Sequence, residues 1–230
     1  MAEVAHPAVV SREEWLAQRL PLLAEEKELT RLMDRVNAKR RRLPMVRVEK
    51  EYVFDTPEGK KSLLDLFDGK RQLIVYHFMY GPDDEKPCDG CEGLVDEIGG
   101  IAPLAKRDTA FTLISRGPLA RLEKFKAEKG WKLPWISSFG SDFNYDFHVT
   151  LDPAVTPAEY NYKPVTYTGE MPGFSVFFRL GDEIFHTYSR FARGGEGITD
   201  TYYMLDLTPY GRQEDFEDSP DGWPQKPTYG

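Results

Sequence analysis

The first part of the chain, residues 11–42, places apolar side chains with the spacing of an α-helix. These positions recur about every three or four residues and are Trp15, Leu16, Leu20, Leu23, Leu29, Leu32, Met33 and Val36. Ser11 and Glu14 have the spacing of a capping box, in which each side chain satisfies a free N–H of the other residue. Pro21 removes a backbone donor inside this segment, so we expect a kink or two helices. The pattern predicts a helical extension over residues 1–44.

Beyond residue 45 the pattern changes to short apolar strands separated by helical spacing. Strands are predicted over residues 46–48, 52–54, 73–78, 111–114 and 135–138, and helices over residues 98–106 and 119–129. Strands that alternate with helices through short connections favour right-handed crossovers and a mostly parallel α/β sheet. Residues 180–183, Leu-Gly-Asp-Glu, separate two further strand patterns and predict an antiparallel hairpin, because Gly-Asp suits a turn with positive φ.

Two later regions lack a regular period. Residues 150–171 are rich in proline and tyrosine and predict an irregular insertion. Residues 208–230 combine proline, glycine and acidic residues and predict a loosely ordered tail. The sequence therefore predicts a helical extension, an α/β domain over residues 45–207 that carries the insertion, and a C-terminal tail.

Composition excludes several classes of protein. The chain has 230 residues, of which 40% are hydrophobic and 30% charged, as in folded globular proteins. Its 30 basic and 38 acidic residues give a net charge of −8, which repels phosphate, so neither nucleic acid nor an anionic membrane is an expected partner. Residues 1–6 lack the features of a secretory signal, and two cysteines are too few for a disulfide-built scaffold. We expect a soluble, cytoplasmic protein.

Both cysteines lie in one motif, Cys88-Asp-Gly-Cys91, which follows the strand predicted over residues 73–78. At the start of a helix this spacing brings two sulfurs together across one turn, and the free N–H groups there stabilise a thiolate. The motif therefore predicts one cysteine that attacks a disulfide or peroxide and a neighbour that resolves the intermediate.

Two other interpretations of the motif remain open. The cysteines can be ordinary core residues that are adjacent by chance. They can also belong to a zinc site, but such a site needs four ligands, and the chain has one Cys-x-x-Cys pair with isolated histidines at positions 77, 148 and 186. We therefore expect no metal. Because no nucleotide-binding loop is apparent, we expect no nicotinamide or flavin cofactor either.

Several segments resemble a known family of bacterial proteins, DUF899, whose members are thioredoxin-like and predicted to be dithiol-disulfide oxidoreductases. They are Ser11-Arg-Glu-Glu-Trp15, Glu26-Lys-Glu-Leu-Thr30, Ser137-Ser-Phe-Gly-Ser-Asp-Phe-Asn-Tyr-Asp-Phe147 and Leu205-Asp-Leu-Thr-Pro209. Residues 52–78 with the cysteine motif also look like the start of a peroxiredoxin-type thioredoxin fold. The resemblance implies a three-layer thioredoxin-like sandwich with a mostly parallel central sheet, an antiparallel hairpin edge and an N-terminal helical extension.

The resemblance also implies roles for individual residues. Cys88 would be the exposed nucleophile and Cys91 the resolving thiol. Thioredoxin-like domains usually place a cis proline before a later strand, and Met171-Pro172 is the best match here, with a trans proline at the start of an edge strand as the alternative. A cis bond would turn the backbone of Met171 toward the sulfurs, where it could pair with an extended substrate peptide. Weaker matches are Pro134 and Pro164.

Three departures from the thioredoxin pattern favour a slow or specialised dithiol enzyme. The loop before the motif, residues 81–87, is long. The loop and motif carry one lysine and five acidic residues, which oppose ionisation of a thiol: Asp83, Asp84, Glu85, Asp89 and Glu92. The preceding strand contains no carboxylate, so proton transfer would fall to Tyr76 or His77. A pKa of Cys88 well below about 6 would contradict the expected effect of the acids.

Two alternative functions remain open. A thiol peroxidase would use an arginine to orient the peroxide, and Arg116 is the candidate, although residues 85–87 supply no hydroxyl. A non-catalytic thioredoxin-like module would bind a ligand through the aromatic-rich residues 131–167. The expected partners are a protein or small-molecule disulfide, or a peroxide, together with an external thiol reductant. A homodimer formed through the helical extension is also open.

Overall fold

The computed structural model describes residues 5–98 and 100–227. It divides into two compact units, one formed by Met1–Pro44 with Tyr203–Gly230 and the other by Met45–Tyr202. The predicted organisation, with an extension over residues 1–44, an α/β domain over residues 45–207 and a tail over residues 208–230, stays a prediction. The boundary between Tyr202 and Tyr203 falls within the last helix, Asp200–Leu205. Predictions for residues 1–4 and 228–230 lie outside the described residues.

The first unit contains helix α1, Arg12–Arg40. The predicted capping box is present, with Ser11 and Glu14 bonded reciprocally. Pro21 lies inside a single helix, so the alternative of two helices is wrong; the hydrogen bonds on both sides outweigh the one that the proline ring removes. None of the helix residues is buried. The described part of the tail, residues 208–227, forms turns without a helix or strand, and Glu217 accepts two of its backbone N–H groups.

The second unit is built on an eight-stranded sheet with the order β1-β12-β11-β4-β5-β6-β2-β3. Its strands are β1 (Val46–Arg47), β2 (Val53–Thr56), β3 (Gly59–Ser62), β4 (Gln72–His77), β5 (Thr109–Ser115), β6 (Trp135–Ser137), β11 (Gly173–Leu180) and β12 (Glu183–Phe191). The insertion adds two small sheets, in which β7 (Thr150–Leu151) pairs with β10 (Gly169–Glu170) and β8 (Glu159–Tyr160) with β9 (Lys163–Pro164).

The described residues contain five further helices, namely α2 (Asp89–Glu97), α3 (Ala102–Ala105), α4 (Leu119–Lys129), α5 (Phe143–Asp146) and α6 (Asp200–Leu205), with 3₁₀ turns at Asp65–Phe67 and Ala192–Ile198. None of the helices between residues 5 and 98 or 100 and 227 is long and apolar enough to cross a membrane.

The α/β class and the thioredoxin-like arrangement are confirmed. Parallel strands β4 and β5 are joined through α2 and α3, and the hairpin β11–β12 lies antiparallel on the other side of β4. The prediction of a mostly parallel sheet is wrong, because only β4–β5 and β5–β6 are parallel pairs. Direct hairpin connections, such as the one through Gly181 at φ 60°, produce antiparallel neighbours and extend the sheet on both sides of its parallel centre.

The central strand β4 separates two cores. Leu73 and Val75 point to the face covered by α5 and the first 3₁₀ turn, whereas Tyr76 and Phe78 point to the face covered by α2 and α4. Successive side chains of a strand alternate between faces, so neighbours in sequence enter different environments. This alternation decides which residues can reach the cysteines.

Candidate active site

Cys88 and Cys91 lie where the loop after β4 enters α2. Cys88 is the N-cap residue of the helix, and its Sγ accepts a hydrogen bond from the backbone N–H of Cys91 at 3.5 Å. The backbone N–H of Cys88 donates to the carbonyl of Met79 at 3.1 Å and folds the loop back onto the end of β4. The predicted position of the motif at a helix start is confirmed, with a sulfur in place of the usual oxygen cap.

The two sulfurs differ in exposure and in ionisation. Both are free thiols; Cys88 is half-buried and Cys91 is only 3% exposed. A hydrogen bond from the Cys91 thiol is the largest cause that lowers the pKa of Cys88 to about 6; burial raises this pKa, and the N–H groups of Cys91 and Gly90 lower it. The same thiol–thiol bond, followed by burial, raises the pKa of Cys91. The pair therefore combines an accessible thiolate with a buried thiol.

The acidic residues around the motif oppose ionisation only weakly. Asp89 raises the pKa of Cys88, but its effect is the smallest of the five causes. The predicted effect thus has the expected sign and does not outweigh the hydrogen bonds to the sulfur. Two of these carboxylates already have cationic partners, in the salt bridges Lys86–Asp89 and Lys129–Glu92.

The long loop before the motif is fixed by Arg121 of α4. Its guanidinium donates to the carbonyl of Pro82 at 2.7 Å and to that of Asp84, and it lies over the Tyr80 ring at 4.7 Å. Gly117 donates to the carbonyl of Tyr80 at 2.7 Å. A Cβ atom at position 117 would lie 3.1 Å from that carbonyl oxygen, so the close approach favours glycine. Despite its length, the loop therefore has specific anchors.

Tyr76 is the described residue of β4 that reaches the thiols. Its side chain hydrogen-bonds Cys91, and this contact lowers the pKa of that thiol against the stronger effects that raise it. The ring is 1% exposed and stacks on Phe174 at 4.5 Å between centroids. Tyr76 can therefore stabilise a developing thiolate on Cys91.

His77 lies on the opposite face, so the suggestion that it transfers protons for the cysteines is wrong. Its Nε2 is 2.9 Å from Oγ of Ser175, which is 3.0 Å from Oγ of Ser189, and that hydroxyl is 2.8 Å from Nε2 of His186. Burial, followed by the repulsion of His186, lowers the pKa of His77 to about 3. The period of a strand dictates this placement, because Tyr76 already points to the cysteines.

The expected cis bond at Met171-Pro172 is absent. The described residues contain no cis peptide bond. The N–H of Met171 donates to the carbonyl of Val149 at 2.8 Å, and the carbonyl of Pro172 accepts from the Tyr160 hydroxyl at 2.6 Å. The insertion therefore holds this backbone through its own hydrogen bonds, and the N–H of Met171 is not free to pair with a substrate peptide.

Arg116 is engaged away from the predicted peroxide-binding role. Its guanidinium donates to Glu170 at 2.9 Å and lies over the Tyr145 ring at 4.7 Å. Thr150 donates to the same carboxylate at 2.8 Å. Burial is the largest cause that raises the pKa of Glu170, while Thr150 and Arg116 lower it. This cluster links the end of β5 to the insertion.

Sequence reasoning assigns neither Arg121 nor Tyr160 to the cysteine site. Arg121 has the spacing of an ordinary surface residue on α4, and no local signal marks it. Tyr160 is predicted only as one of the aromatic residues through which a binding module could contact a ligand, and it lies in the irregular insertion, where two paired strands of two residues each give almost no periodicity. Burial raises the pKa of Tyr160 to about 12, and the nearby Cys91 sulfur is one of the smaller causes that act in the same direction. In residues 5–98 and 100–227, no group of three or more histidine, cysteine, aspartate or glutamate side chains could hold a metal ion.

Comparison with known proteins gives one family match and several structural likenesses. The model of a family described as "Bacterial protein of unknown function (DUF899)" matches residues 4–229. No curated protein matches the sequence.

Among solved structures, the peroxidoxin BcpB from Mycobacterium tuberculosis is 12% identical over 71% of this chain and 96% of its own, with a TM-score of 0.48. Peroxiredoxin Q from Xanthomonas campestris is 15% identical over 64% and 84%, with a TM-score of 0.42. A yeast mitochondrial 1-Cys peroxiredoxin is 16% identical over 71% and 78%, also with a TM-score of 0.42.

Proposed function

We propose that this chain, which belongs to the DUF899 family, is a thiol-disulfide oxidoreductase in which Cys88 is the nucleophile and Cys91 the resolving thiol. The observation that carries the proposal is the placement of the two thiols: Cys88 caps α2 and is half-buried, whereas Cys91 is buried, and their pKa values shift in opposite directions. With a pKa of about 6, Cys88 is mostly thiolate near pH 7, whereas an unperturbed thiol is mostly protonated there. A pKa just below the ambient pH also retains much of the sulfur's nucleophilicity.

The reaction proceeds in two balanced steps. The Cys88 thiolate attacks one sulfur of a disulfide R–S–S–R, so that a Cys88–SR bond forms, the substrate S–S bond breaks, and RS⁻ leaves and takes up a proton. Cys91 then loses its proton and attacks the Cys88 sulfur, which forms the Cys88–Cys91 disulfide and releases the second RS⁻. The substrate is reduced to two thiols while the protein dithiol is oxidised. An external thiol of low molecular weight or on a protein restores the dithiol.

Tyr76 assists the second step. Cys91 is buried and its pKa is raised, so its thiolate needs a local partner. The Tyr76 side chain already hydrogen-bonds this sulfur and can donate to it as charge develops. We propose Tyr76 as the group that takes the place of a buried carboxylate, which the strand lacks.

Thiol counting tests the proposal. The reduced protein is mixed anaerobically with one equivalent of hydroxyethyl disulfide or of hydrogen peroxide, and the remaining thiols are titrated over time. Loss of both thiols with the disulfide, and an intramolecular Cys88–Cys91 bond by mass spectrometry, is the expected result. Two thiols that survive the disulfide would refute the oxidoreductase proposal.

Thiol peroxidase activity is the second candidate, favoured by the same lowered pKa of Cys88. Two features count against it: residues 85–87 supply no hydroxyl, and the guanidinium of Arg116 is already bound by Glu170. Rapid loss of thiols with peroxide and slow loss with disulfide would favour the peroxidase. Inertness toward both would leave a binding module, for which the cavity of about 520 Å³ between Tyr52, Phe147 and His186 is a candidate site.

Self-association through α1 is a separate proposal. Trp15, Leu22, Leu29 and Val36 are exposed and spaced seven residues apart, the repeat of a coiled-coil contact. Residues 12–26 carry two basic and four acidic side chains, whereas residues 27–42 carry seven and two. Opposite charge at the two ends favours antiparallel pairing with a second copy.

Sedimentation of the full chain tests this pairing. Leu29→Glu is expected to convert a dimer to a monomer, and Leu20→Glu, outside the seven-residue repeat, is the control. A monomeric wild type would contradict the proposal.

We also propose that the protein acts in the cytoplasm. Thiols are kept reduced there, which suits a protein that works through a dithiol.

A further inference from the structure

On both sides of the cysteines, several backbone groups form hydrogen bonds within the protein. Enzymes that act on extended peptides can recognise them through free N–H and C=O groups, which pair with the peptide as an added strand. Around this site, several groups that could serve in this way are already bound. The inference rests on the proposed oxidoreductase function and concerns which disulfides it accepts.

The loop side of the site is engaged at several positions between Met79 and Asp84. The carbonyl of Met79 accepts from Cys88 at 3.1 Å, and that of Tyr80 accepts from Gly117 at 2.7 Å. The N–H of Gly81 donates to the Asp84 carboxylate at 2.6 Å. Two further carbonyls accept from the Arg121 guanidinium, those of Pro82 and Asp84.

The strand side of the site is engaged as well. Met171 donates its N–H to Val149, and Pro172 has no N–H to offer. The carbonyl of Pro172 accepts from the Tyr160 hydroxyl at 2.6 Å, and the same hydroxyl accepts from the N–H of Ala192 at 3.0 Å. Tyr160 therefore occupies the carbonyl of Pro172, which would otherwise be open to a peptide.

We propose that the substrate is a small-molecule disulfide rather than an extended protein or peptide disulfide, because Tyr160 and Arg121 occupy backbone carbonyls beside the site with which a peptide could otherwise pair. A small disulfide requires only access to the half-buried Cys88 sulfur in line with its S–S bond. The reaction is the two-step exchange described above, and the products are two low-molecular-weight thiols. The reductant that restores the dithiol is then a thiol of the same size class.

The test compares two disulfides at the same cysteine. Second-order rate constants for reduced full-length protein are measured with hydroxyethyl disulfide and with an extended nonapeptide carrying a cysteine–hydroxyethyl mixed disulfide. Each value is divided by the rate constant for the reaction of dithiothreitol with the same compound. This ratio corrects for the different intrinsic reactivity of the two disulfides. We expect a peptide-to-small ratio of about one or below. Two backbone hydrogen bonds to the peptide would raise it about 30-fold, and a ratio above about ten would overturn the proposal.

Tyr160→Phe removes the cap, and Tyr162→Phe is the matched control, because the Tyr162 hydroxyl binds the carbonyl of Ser189 instead. We expect Tyr160→Phe to raise the peptide-to-small ratio about five-fold and Tyr162→Phe to leave it unchanged. An unchanged ratio in Tyr160→Phe, with normal folding by circular dichroism, would show that the cap does not select substrates and would refute the proposal. Failure of the proposed function looks different, since neither disulfide would then react.

Discussion

Tyr76 and His77 are adjacent in sequence and lie on opposite faces of β4. One face favours the charged form of an ionisable group, and the other favours the neutral form. On the Tyr76 face, hydrogen bonds to Cys88 favour its charged form and lower its pKa to about 6. On the His77 face, burial without a counter-charge lowers the pKa of the histidine to about 3 and keeps it neutral. Burial alone keeps a titratable group neutral, whereas hydrogen-bond donors directed at a half-buried thiol favour its charged form.

The largest expected effect concerns the Tyr76 face. Cys88→Ser should reduce the rate of disulfide reduction by at least about 1,000-fold, because an alkoxide does not form near neutral pH. Cys91→Ser should keep the first step and accumulate the mixed disulfide at Cys88, seen by mass spectrometry. Equal, mild effects of the two substitutions would contradict the assigned roles. Ser175→Ala, on the His77 face, is the control and should leave the rate unchanged.

The second prediction separates the two faces at neighbouring positions. Tyr76→Phe removes the hydrogen bond to Cys91 and should slow formation of the Cys88–Cys91 bond about ten-fold, since one hydrogen bond to a charged group is worth about 1.5 kcal/mol. The rate of the first attack should not change. His77→Leu should leave both rates unchanged and lower the free energy of unfolding by about 1 kcal/mol through the lost contact with Ser175. Rapid-quench kinetics and denaturant unfolding measure these effects.

The third prediction is the pH dependence of each face. The rate of Cys88 alkylation by iodoacetamide should rise with an inflection near pH 6 and level off above about pH 7.

The pKa of His77 is lower in the folded than in the unfolded protein, so the unfolded state binds more protons below about pH 6.5. Its contribution to stability is therefore present above that pH and is lost as the pH falls toward 3. An inflection of the alkylation rate near pH 9 would contradict the prediction for Cys88. If the stability of His77→Leu fell with decreasing pH as steeply as that of the wild type, the prediction for His77 would be contradicted.

The smallest expected effect tests the acidic loop. Asp89→Asn should lower the pKa of Cys88 by less than about one unit, because Asp89 is exposed and already paired with Lys86. Glu128→Gln on α4, whose carboxylate pairs with Lys124, is a control of the same charge change. A larger shift would mean that the acids rather than the hydrogen bonds govern the thiol. Titration of the thiolate absorbance at 240 nm measures both variants.

Local patterns predicted much of this molecule, and long-range contacts account for the errors. The Ser11–Glu14 cap, the hairpin at Gly181 and the start of α2 at the cysteine motif depend on residues a few positions apart, so capping, turn and motif spacing predicted them. Periodicity placed the helix after the motif at residues 98–106, whereas α2 covers Asp89–Glu97. The environment of Pro172 depends on Tyr160 and Val149, which the insertion brings to it. The engagement of Arg116 depends on Glu170, 54 residues away. The periodicity of the sequence does not indicate contacts between residues so far apart in the chain.

The sequence by itself determined which chemistry is available: two thiols, one helical turn apart, behind an apolar strand. The sequence fixes the separation of the two cysteines, and a helix that starts at this motif has free backbone N–H groups in its first turn. Only the tertiary structure decided that Tyr76 rather than His77 faces the sulfurs, that Cys88 is the more exposed of the two, and that Tyr160 covers the backbone beside them. These choices depend on burial and on partners distant in sequence, which exist only after the sheet and the insertion have packed.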